Sequence, residues 1–468
     1  MKFYSFLKGL SWLILLNLLI KPVWIFFIDR QVQNIVGYQA YGKYFAIFNL
    51  TFVLLFIADG GISNMVNQRM AAKLPVNLPG VFRVKGILLG IYILACCLAA
   101  WISGISQWIL VFYLVGVQAL TSVFVFLRAI ITANQLFTAD AILSVLDKFL
   151  MILLCGGFIY GVLGKINLVI FLQVQTVSTA VSISVALILI YRNKLLGRKD
   201  GEKMIAFSGS MLPFALIILL MSLHYRLDGF LLERLHNNGS YEAGVYASGY
   251  RLLDAANMVG YLSASFLVPF IARQQFNIEL VSQTVLTLRQ VLLVFAGIIV
   301  SFTWVFAPLI QQLLYHSADA YNSMILRLSL AALPGYYLVH VYGSVLTATA
   351  QFRPFIVILI YSVVINTVLN LVLIPGYGAY GCCIAAITSQ LFCGITLLIS
   401  TSGRVKIAVN FPSLLFTVIL VLVLFILFLY TSSHITNVWI ILALLAGGTL
   451  VGVAGQYLYS RKKYSLIL

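Results

Sequence analysis

Long apolar segments alternate with short polar ones along the whole chain. A helix that crosses a bilayer needs about 20 mostly apolar residues, and fourteen segments meet this requirement. To within a few residues at each end, they are 9–28, 43–63, 84–104, 107–131, 138–161, 166–190, 207–232, 243–271, 285–308, 323–349, 354–375, 379–400, 411–430 and 436–459. The connecting segments are short, as expected where irregular backbone is too costly within lipid. The pattern predicts an all-α, polytopic membrane protein with about fourteen transmembrane helices.

The composition agrees with this prediction, because 62% of the 468 residues are hydrophobic and only 9% are charged. A soluble domain would carry about 25% charged residues. The six cysteines lie within or at the ends of apolar segments and have no metal-ligand spacing with histidine. This placement favours buried small side chains over disulfides, redox chemistry or a metal site. We expect no cofactor and no metal.

The 29 lysine and arginine residues are distributed unevenly between the two predicted sides of the membrane. With the N-terminus in the cytoplasm, the opposite side holds only Arg30, Lys43, Lys165, Arg234 and Arg327. Four more lie inside spans, and all others, including Lys85 and Arg289, fall on the cytoplasmic side. One miscounted helix would destroy this asymmetry. It therefore predicts a multi-pass protein of the bacterial cytoplasmic (inner) membrane with both termini in the cytoplasm, and it accounts for the net charge of +17 without a nucleic-acid partner.

The two halves of the chain resemble each other weakly but in the same order. Residues 41–44 (YGKY) recur as 243–246 (AGVY), and residues 132–134 (TAN) recur 217 positions later as 349–351 (TAQ). An even number of helices separates these pairs, which is typical of a parallel repeat. The predicted domains are a six-helix bundle at 1–195, a second six-helix bundle at 196–403, and two additional helices at 404–468.

Four basic residues lie inside predicted spans: Lys21, Lys148, Arg226 and Arg251. An ionisable residue near the bilayer centre costs about 2.5–3.5 kcal/mol on insertion scales, so it usually faces a bundle interior or water. Counting about 1.5 Å per residue places Lys21, Lys148 and Arg251 near mid-depth, with Arg226 toward the outer end of its span. Cations at one level predict a site for a polyanionic ligand between the bundles.

Internal ion pairing is the alternative interpretation of these cations. Asp254 is three residues from Arg251, on the same helical face, and could neutralise it. Asp147 adjoins Lys148 in the sequence but is expected to point elsewhere around the helix. These acidic groups leave the net sign of the predicted cavity open.

Three further sets of polar residues lie in or near spans. Asp228 is four residues from His224 on one helical face and is a possible coupling or cavity charge. Asp59, near the end of the second span, is either a helix-end group or a proton site. Asn366 and Asn370 share a face of the eleventh span, where they could contact a ligand or form interhelical hydrogen bonds.

These features together resemble the Wzx-type polysaccharide flippases of the multidrug/oligosaccharidyl-lipid/polysaccharide exporter superfamily. The segments that carry the resemblance are 34–37 (NIVG), 41–44, 59–61 (DGG), 226–228 (RLD), 243–246, 250–252 (YRL), Asn366 with Asn370, 373–375 (LIP), Gly378 and Gly381. The resemblance implies a V-shaped pair of bundles that moves a polyprenyl-diphosphate-linked oligosaccharide from the cytoplasmic to the outer leaflet. Such a substrate serves the biosynthesis of lipopolysaccharide O-antigen, capsule or exopolysaccharide.

The resemblance also implies roles and partners. Cavity cations, here Lys21 and Arg251, would hold the diphosphate. A Na⁺ or H⁺ gradient or the membrane potential, rather than ATP, would drive transport. The expected partners are the lipid-linked oligosaccharide, membrane lipid and a polysaccharide polymerase.

Three rival functions stay open at this point. A multidrug or metabolite antiporter of the same superfamily would favour anionic cavity residues for cationic substrates. A polytopic polymerase or ligase enzyme would carry a long outer loop with paired carboxylates, and the predicted loops are short. A scaffolding protein would have little reason to bury cations. Because the chain also lacks a glycine-rich phosphate loop and a nucleophile elbow, we predict no catalytic residues.

Overall fold

The computed structural model describes residues 12, 15–71, 76–195, 212–274, 277–316, 318–407, 409–434 and 447–448. This part of the chain is almost entirely helical. We number its helices α1 (Leu15–Asp59), α2 (Ile62–Ala71), α3 (Leu78–Ile102), α4 (Trp108–Ala133), α5 (Phe137–Ile159), α6 (Leu168–Arg192), α7 (Leu212–Leu235), α8 (Gly239–Arg273), α9 (Ile278–Leu314), α10 (Ala320–Ala348), α11 (Phe352–Val405) and α12 (Phe411–His434). Within the described residues, eleven of these helices are long and apolar enough to cross a membrane. The prediction of an all-α polytopic membrane protein is confirmed.

Two of the helices are twice as long as one membrane crossing requires. Helix α1 has 45 residues and α11 has 54, whereas about 20 suffice. Each is interrupted once, at Gly37 (φ +80°) and at Gly378 (φ +52°). A residue without a Cβ adopts positive φ without strain, so glycine is suited to both interruptions.

Contacts across the interruptions show that the chain reverses direction there. In α11 the amide Nδ2 of Asn366 donates to the hydroxyl of Ser389 at 3.3 Å. In a straight helix these residues would be separated by about 34 Å. In α1 the hydroxyl of Tyr41 donates to Oδ2 of Asp29 at 2.7 Å, although a straight helix would place them about 18 Å apart. Both helices are therefore hairpins of two membrane-spanning halves.

Thirteen of the fourteen predicted spans coincide with these helices when each hairpin is counted as two. The predicted loop 29–42 is instead helical on both sides of Gly37. Two of its polar side chains form hydrogen bonds within the protein: Tyr41 donates to Asp29, and Gln33 donates to the carbonyl oxygen of Gly244. The fourteenth predicted span, 436–459, lies almost entirely outside the described residues, so the total of fourteen stays a prediction.

The chain divides into two compact units, Met1–Gly244 and Val245–Leu468. The predicted domain boundaries at 195 and 403 stay a prediction. In the first unit, buried aliphatic and aromatic side chains of α2, α3, α4, α5 and α6 form one cluster. In the second, Phe302 and Phe306 of α9 pack edge-on against Phe428 of α12. Helix α12 therefore belongs to the apolar core of the second unit.

The repeated glycine motifs meet in the first unit, where the first turns of α8 pack on α1. A Cβ added to Gly42 would overlap the carbonyl oxygen of Ser240, and one added to Gly244 would overlap that of Tyr38. The side-chain amide of Gln33 donates to the carbonyl oxygen of Gly244 at 2.9 Å. This close backbone approach explains why both motifs carry glycine.

Candidate functional site

The first unit brings Lys21 and Lys148 together. Lys148 Nζ lies 3.2 Å from Oδ2 of Asp147 and 4.7 Å from the ring centroid of Trp24. The expectation that Asp147 points away from Lys148 is wrong, because the flexible lysine stem lets the ammonium reach back to the neighbouring carboxylate. Lys148 is therefore held by one carboxylate and by the face of an indole ring.

Lys21 lies in the same group but is held differently. It is half-buried and interacts electrostatically with Asp147, Lys148 and Arg128. Arg128 is itself engaged by Asp140 through two bonds of 2.7 and 3.1 Å. Among the described residues, the Lys21 ammonium has no hydrogen bond and no ion pair within 4.0 Å. It is thus a membrane-embedded cation with donors left for a ligand.

The backbone around this group departs from ordinary α-helix. Residues Trp24–Asp29 form a π-helical segment that begins three residues after Lys21. Such segments are rare and occur frequently at functional sites. The amide of Asn17 donates to the hydroxyl of Ser144 at 2.8 Å and ties α1 to α5. Sequence reasoning missed Trp24 and Asp29, since aromatic residues are common in spans and Asp29 was assigned to a loop.

Arg226 packs against aromatic rings of α1. Its guanidinium carbon lies 5.1 Å from the ring centroid of Phe52 and 6.0 Å from that of Phe48. His224 and Asp228, one turn apart on α7, are both buried. Among the described residues neither ring nitrogen of His224 has a hydrogen-bond partner, so the two side chains do not form the hydrogen bond that their spacing allows.

The second unit holds Arg251 and Asp254 on α8. Arg251 NH1 lies 3.9 Å from Oδ2 of Asp254, and the arginine is only 6% exposed. The internal ion pair considered from the sequence is therefore formed, at the long end of the range for such pairs. Lys21 and Lys148 lie in the first unit and Arg251 in the second, and a cavity common to all three stays a prediction.

Asp59, the last residue of α1, belongs to an ion pair that the sequence analysis did not foresee. Its Oδ1 accepts from Nζ of Lys85 at 2.8 Å, and the hydroxyl of Ser63 also donates to it. Lys85 donates in addition to the hydroxyl of Ser122 at 2.8 Å. The sequence analysis counted Lys85 on the cytoplasmic side, at the start of the third predicted span, and not among the embedded cations. Helix α3 begins at Leu78, so Lys85 lies about 10 Å into it, and its side chain is 3% exposed.

Arg289 is a second cation that the sequence analysis misplaced. Helix α9 begins at Ile278, so Arg289 lies about 17 Å into it and is fully buried. It donates to the carbonyl oxygen of Val409 at 2.5 Å and to the hydroxyl of Tyr342 at 3.3 Å. In both helices polar residues precede the apolar run, so the predicted span begins later than the helix does. Lys85 and Arg289 were therefore not counted among the embedded cations.

Asn366 and Asn370 are buried within the α11 hairpin. Asn370 Nδ2 donates to Oδ1 of Asn366 at 3.2 Å, and Asn366 in turn donates to Ser389. These bonds join the two halves of the hairpin. A direct contact of either asparagine with a ligand stays a prediction.

The thiols take no part in a metal or disulfide site among the described residues. All six cysteines are free, and five of them are buried. No group of three or more histidine, cysteine, aspartate or glutamate side chains in this part of the chain could hold a metal ion. The arrangement as a whole is a helical membrane fold with several embedded cations, each partnered to a different extent.

Comparison with known proteins places the chain in a class and then in a family. Solved structures that share this fold include a lipid II flippase and MATE transporters. The family model described as "Polysaccharide biosynthesis protein" matches residues 6–275, more than half of the chain. The chain belongs to this family of flippases of the multidrug/oligosaccharidyl-lipid/polysaccharide exporter superfamily. No curated protein shows significant sequence similarity to it.

Three solved structures illustrate the shared fold. A structure described as "Lipid II flippase MurJ, inward closed conformation" is similar with a TM-score of 0.70 at 13% identity, over 98% of each chain. The Vibrio cholerae MATE transporter VcmN in its bent form gives 0.57 at 18% identity, over 86% of this chain and 98% of the other. A superfamily transporter from Pyrococcus furiosus, described as having a binding pocket of reverse polarity, gives 0.60 at 17%, over 85% and 96%.

Proposed function

We propose that this protein is a flippase for polyprenyl-diphosphate-linked oligosaccharide repeat units. It would carry them from the cytoplasmic to the outer leaflet of a bacterial inner membrane for surface polysaccharide synthesis. Membership of a polysaccharide biosynthesis family and a fold similar to that of a lipid II flippase support this proposal. It assigns the protein no catalytic step, because the chemical bonds of the substrate stay intact.

The observation that carries the proposal is the cluster of charged residues around Lys21, namely Lys21, Lys148, Asp147 and Arg128, which we call the Lys21 group. Lys21 is an embedded lysine without an ion-pair partner among the described residues, next to Lys148 and Arg128. Burying such a cation is unfavourable unless an anion or water compensates it. A diphosphate supplies several anionic oxygens at once, which matches the donors of two neighbouring ammonium groups.

The proposed cycle follows from this electrostatic match. Lys21 and Lys148 hold the diphosphate, with Arg251 as a further contact, while the sugar crosses in a hydrated cavity. The polyprenyl chain stays in lipid, since withdrawing it into a polar site would be costly. Asp147, which already pairs with Lys148, keeps the group from binding the anion too tightly for release. A gradient of Na⁺ or H⁺ would drive the cycle, and a polysaccharide polymerase would receive the product.

Cells that lack the protein provide the direct test. Lipid-linked oligosaccharide is assayed in each leaflet together with surface polysaccharide. The proposal expects complete repeat units to accumulate in the cytoplasmic leaflet and surface polymer to be lost. Repeat units that reach the outer leaflet but stay unpolymerised would contradict it and indicate a polymerase or ligase.

Complementation with variants then tests the Lys21 group. Lys21→Ala should fail to restore surface polymer although the protein reaches the membrane in normal amount. Lys21→Arg should restore part of it, since the charge is kept. Lys165→Ala, at a cation in a loop of the same unit, is the matched control and should restore it fully. Full activity of Lys21→Ala would refute the diphosphate site.

A second candidate function is export of cationic drugs or metabolites. The observation that favours it is the buried Asp228 in the first unit, together with the similarity to a MATE transporter. An antiporter would leave surface polymer unchanged in the deletion strain and would raise its sensitivity to cationic compounds. Asp228→Asn would then remove the resistance, whereas Lys21→Ala would not.

A further inference from the structure

A groove in the second unit has features that neither the sequence analysis nor the proposed function uses. It lies at the end of the α11 hairpin where the helix begins and ends, and its volume is about 550 Å³. Arg353, the second residue of α11, and Arg404, the next to last, both line it. The hairpin thus brings together at one end two arginines that are 51 positions apart in the sequence.

The groove is lined by arginines at one end and by apolar and hydroxyl side chains along the rest of its length. One turn from Arg353 lies Val357, and one and two turns before Arg404 lie Ser400 and Thr396. At 1.5 Å per residue, the groove therefore extends from the arginine end about 12 Å along the second half-helix and about 8 Å along the first. Val357 and Ile399 on its wall are 43% and 62% exposed. Because the segment spans the membrane, apolar side chains this exposed face acyl chains rather than water.

No acidic side chain of α11 balances the positive charge of Arg353 and Arg404. Helix α11 contains Arg353 and Arg404 but no aspartate or glutamate, and the sequence holds no acidic residue after Asp319. Both arginine residues are exposed. Exposed arginines at the mouth of an apolar groove between transmembrane helices attract anionic head groups, and a guanidinium matches phosphate oxygens in two parallel hydrogen bonds.

We propose that this groove binds one anionic phospholipid of the surrounding membrane. Its phosphate lies between Arg353 and Arg404, and an acyl chain runs along Val357 and Ile399. A soluble phosphate would leave the apolar wall unused. A zwitterionic lipid would bring a cationic head group beside two arginines with no carboxylate in α11 to receive it. The site is separate from the Lys21 group and does not depend on the proposed transport function.

Lipid binding to the purified protein tests the proposal. The full-length protein in a non-ionic detergent is titrated with phosphatidylglycerol, with phosphatidylcholine and with inorganic phosphate. Native mass spectrometry reports bound lipid, and the thermal unfolding midpoint reports stabilisation. We expect one tightly bound phosphatidylglycerol and a raised midpoint, with little effect of phosphatidylcholine or inorganic phosphate. An equal effect of phosphatidylcholine, or an effect of inorganic phosphate alone, would overturn the proposal.

Variants locate the lipid on the protein. Arg353→Ala/Arg404→Ala should bind phosphatidylglycerol on the order of tenfold more weakly, whereas Arg353→Lys/Arg404→Lys should retain much of the binding. Arg69→Ala/Arg192→Ala removes two exposed helix-end arginines elsewhere and is the charge-matched control. Unchanged binding by the Arg353/Arg404 alanine variant, or the same loss in the control, would refute the site.

A competition experiment distinguishes this lipid from the transported substrate. Polyprenyl phosphate is added to the wild-type protein loaded with phosphatidylglycerol. We expect it to leave the bound phosphatidylglycerol in place. Displacement of the bound phosphatidylglycerol from the wild-type protein would mean that the groove prefers the polyprenyl lipid, and would overturn the proposal of a phospholipid site. Transport that fails in cells while phosphatidylglycerol still binds would refute only the flippase function.

Discussion

Two embedded lysines of the first unit, Lys85 and Lys21, differ in how completely the protein satisfies them. The Lys85 ammonium has a carboxylate and a hydroxyl, each at 2.8 Å. The Lys21 ammonium has only longer-range interactions, with Asp147 attracting it and Lys148 and Arg128 repelling it. A cation that is bonded to a carboxylate and a hydroxyl on other helices holds those helices together, whereas a cation without such bonds is available to a ligand.

The largest effect in this comparison is expected when Lys85 loses its carboxylate. Asp59→Ala leaves an uncompensated ammonium that is 3% exposed, and removing one partner of a buried pair costs about 3–5 kcal/mol. The thermal unfolding midpoint in detergent and the amount of protein in the membrane should both fall. Glu233→Ala is the matched control, since its partner Arg234 lies in the last turn of α7, is 30% exposed and also donates to the carbonyl oxygen of Ser103, so its loss should cost about 1 kcal/mol or less. Equal losses of stability in the two variants would contradict the conclusion that the burial of Lys85 makes its ion pair important for stability.

The second effect is a rescue. Replacing both members of the buried pair, in Asp59→Ala/Lys85→Met, removes the uncompensated charge and keeps an apolar side chain of similar length. Most of the stability lost in Asp59→Ala should return, because a buried ion pair and a packed apolar pair are often nearly equivalent. The same unfolding midpoint measures it. A double variant as unstable as the single one would assign Asp59 a role beyond pairing with Lys85.

A smaller and different effect is expected at Lys21. In Lys21→Ala the unfolding midpoint of the protein without ligand should change little, because no hydrogen bond or ion pair to the described residues is lost. The stabilisation of the wild-type protein by added polyprenyl diphosphate should instead fall by about 1.5–3 kcal/mol, the value of charge-assisted hydrogen bonds. Stabilisation of the variant equal to that of the wild type would remove Lys21 from the binding site.

The smallest effect is expected at Asp147, the carboxylate that interacts with both Lys21 and Lys148. Asp147→Asn removes a negative charge that attracts Lys21 and lies 3.2 Å from Lys148. The more positive group should bind polyprenyl diphosphate several-fold more tightly, since partly exposed pairs contribute up to about 1 kcal/mol. Titration of the purified protein measures this change. Weaker binding would mean that Asp147 positions Lys148 rather than opposing the anion.

The sequence predicted the helices well because each one is specified locally. A run of apolar residues of membrane length identifies a span regardless of its neighbours. The boundary predicted between residues 375 and 379 coincides with the interruption of α11 at Gly378. The same reasoning failed at Lys85 and Arg289. Both lie near the start of a predicted span, but the helix itself begins seven residues before Lys85 and eleven before Arg289. An apolar run does not show how early its helix begins.

Among the candidate site residues, spacing along one helix predicted some pairs correctly and failed for two others. His224 and Asp228 form no hydrogen bond with each other, and Asp147 pairs with Lys148 against expectation. Arg251 and Asp254 are three residues apart and form the ion pair that this spacing allows. Pairs on different helices were not accessible, such as Asp59 with Lys85 or Arg226 with Phe52. Spacing along the chain carries no information about which helices become neighbours.

The sequence by itself determined that this protein is a bundle of membrane-spanning helices of the polysaccharide biosynthesis family, because hydrophobic length and local motifs are properties of single segments. Only the tertiary structure decided which embedded charges are paired, that Gly42 and Gly244 face neighbouring backbone, and that Arg353 and Arg404 share a groove. The physical reason is that the energy of a charge in a membrane depends on its neighbours within a few ångströms. Those neighbours are supplied by helix packing.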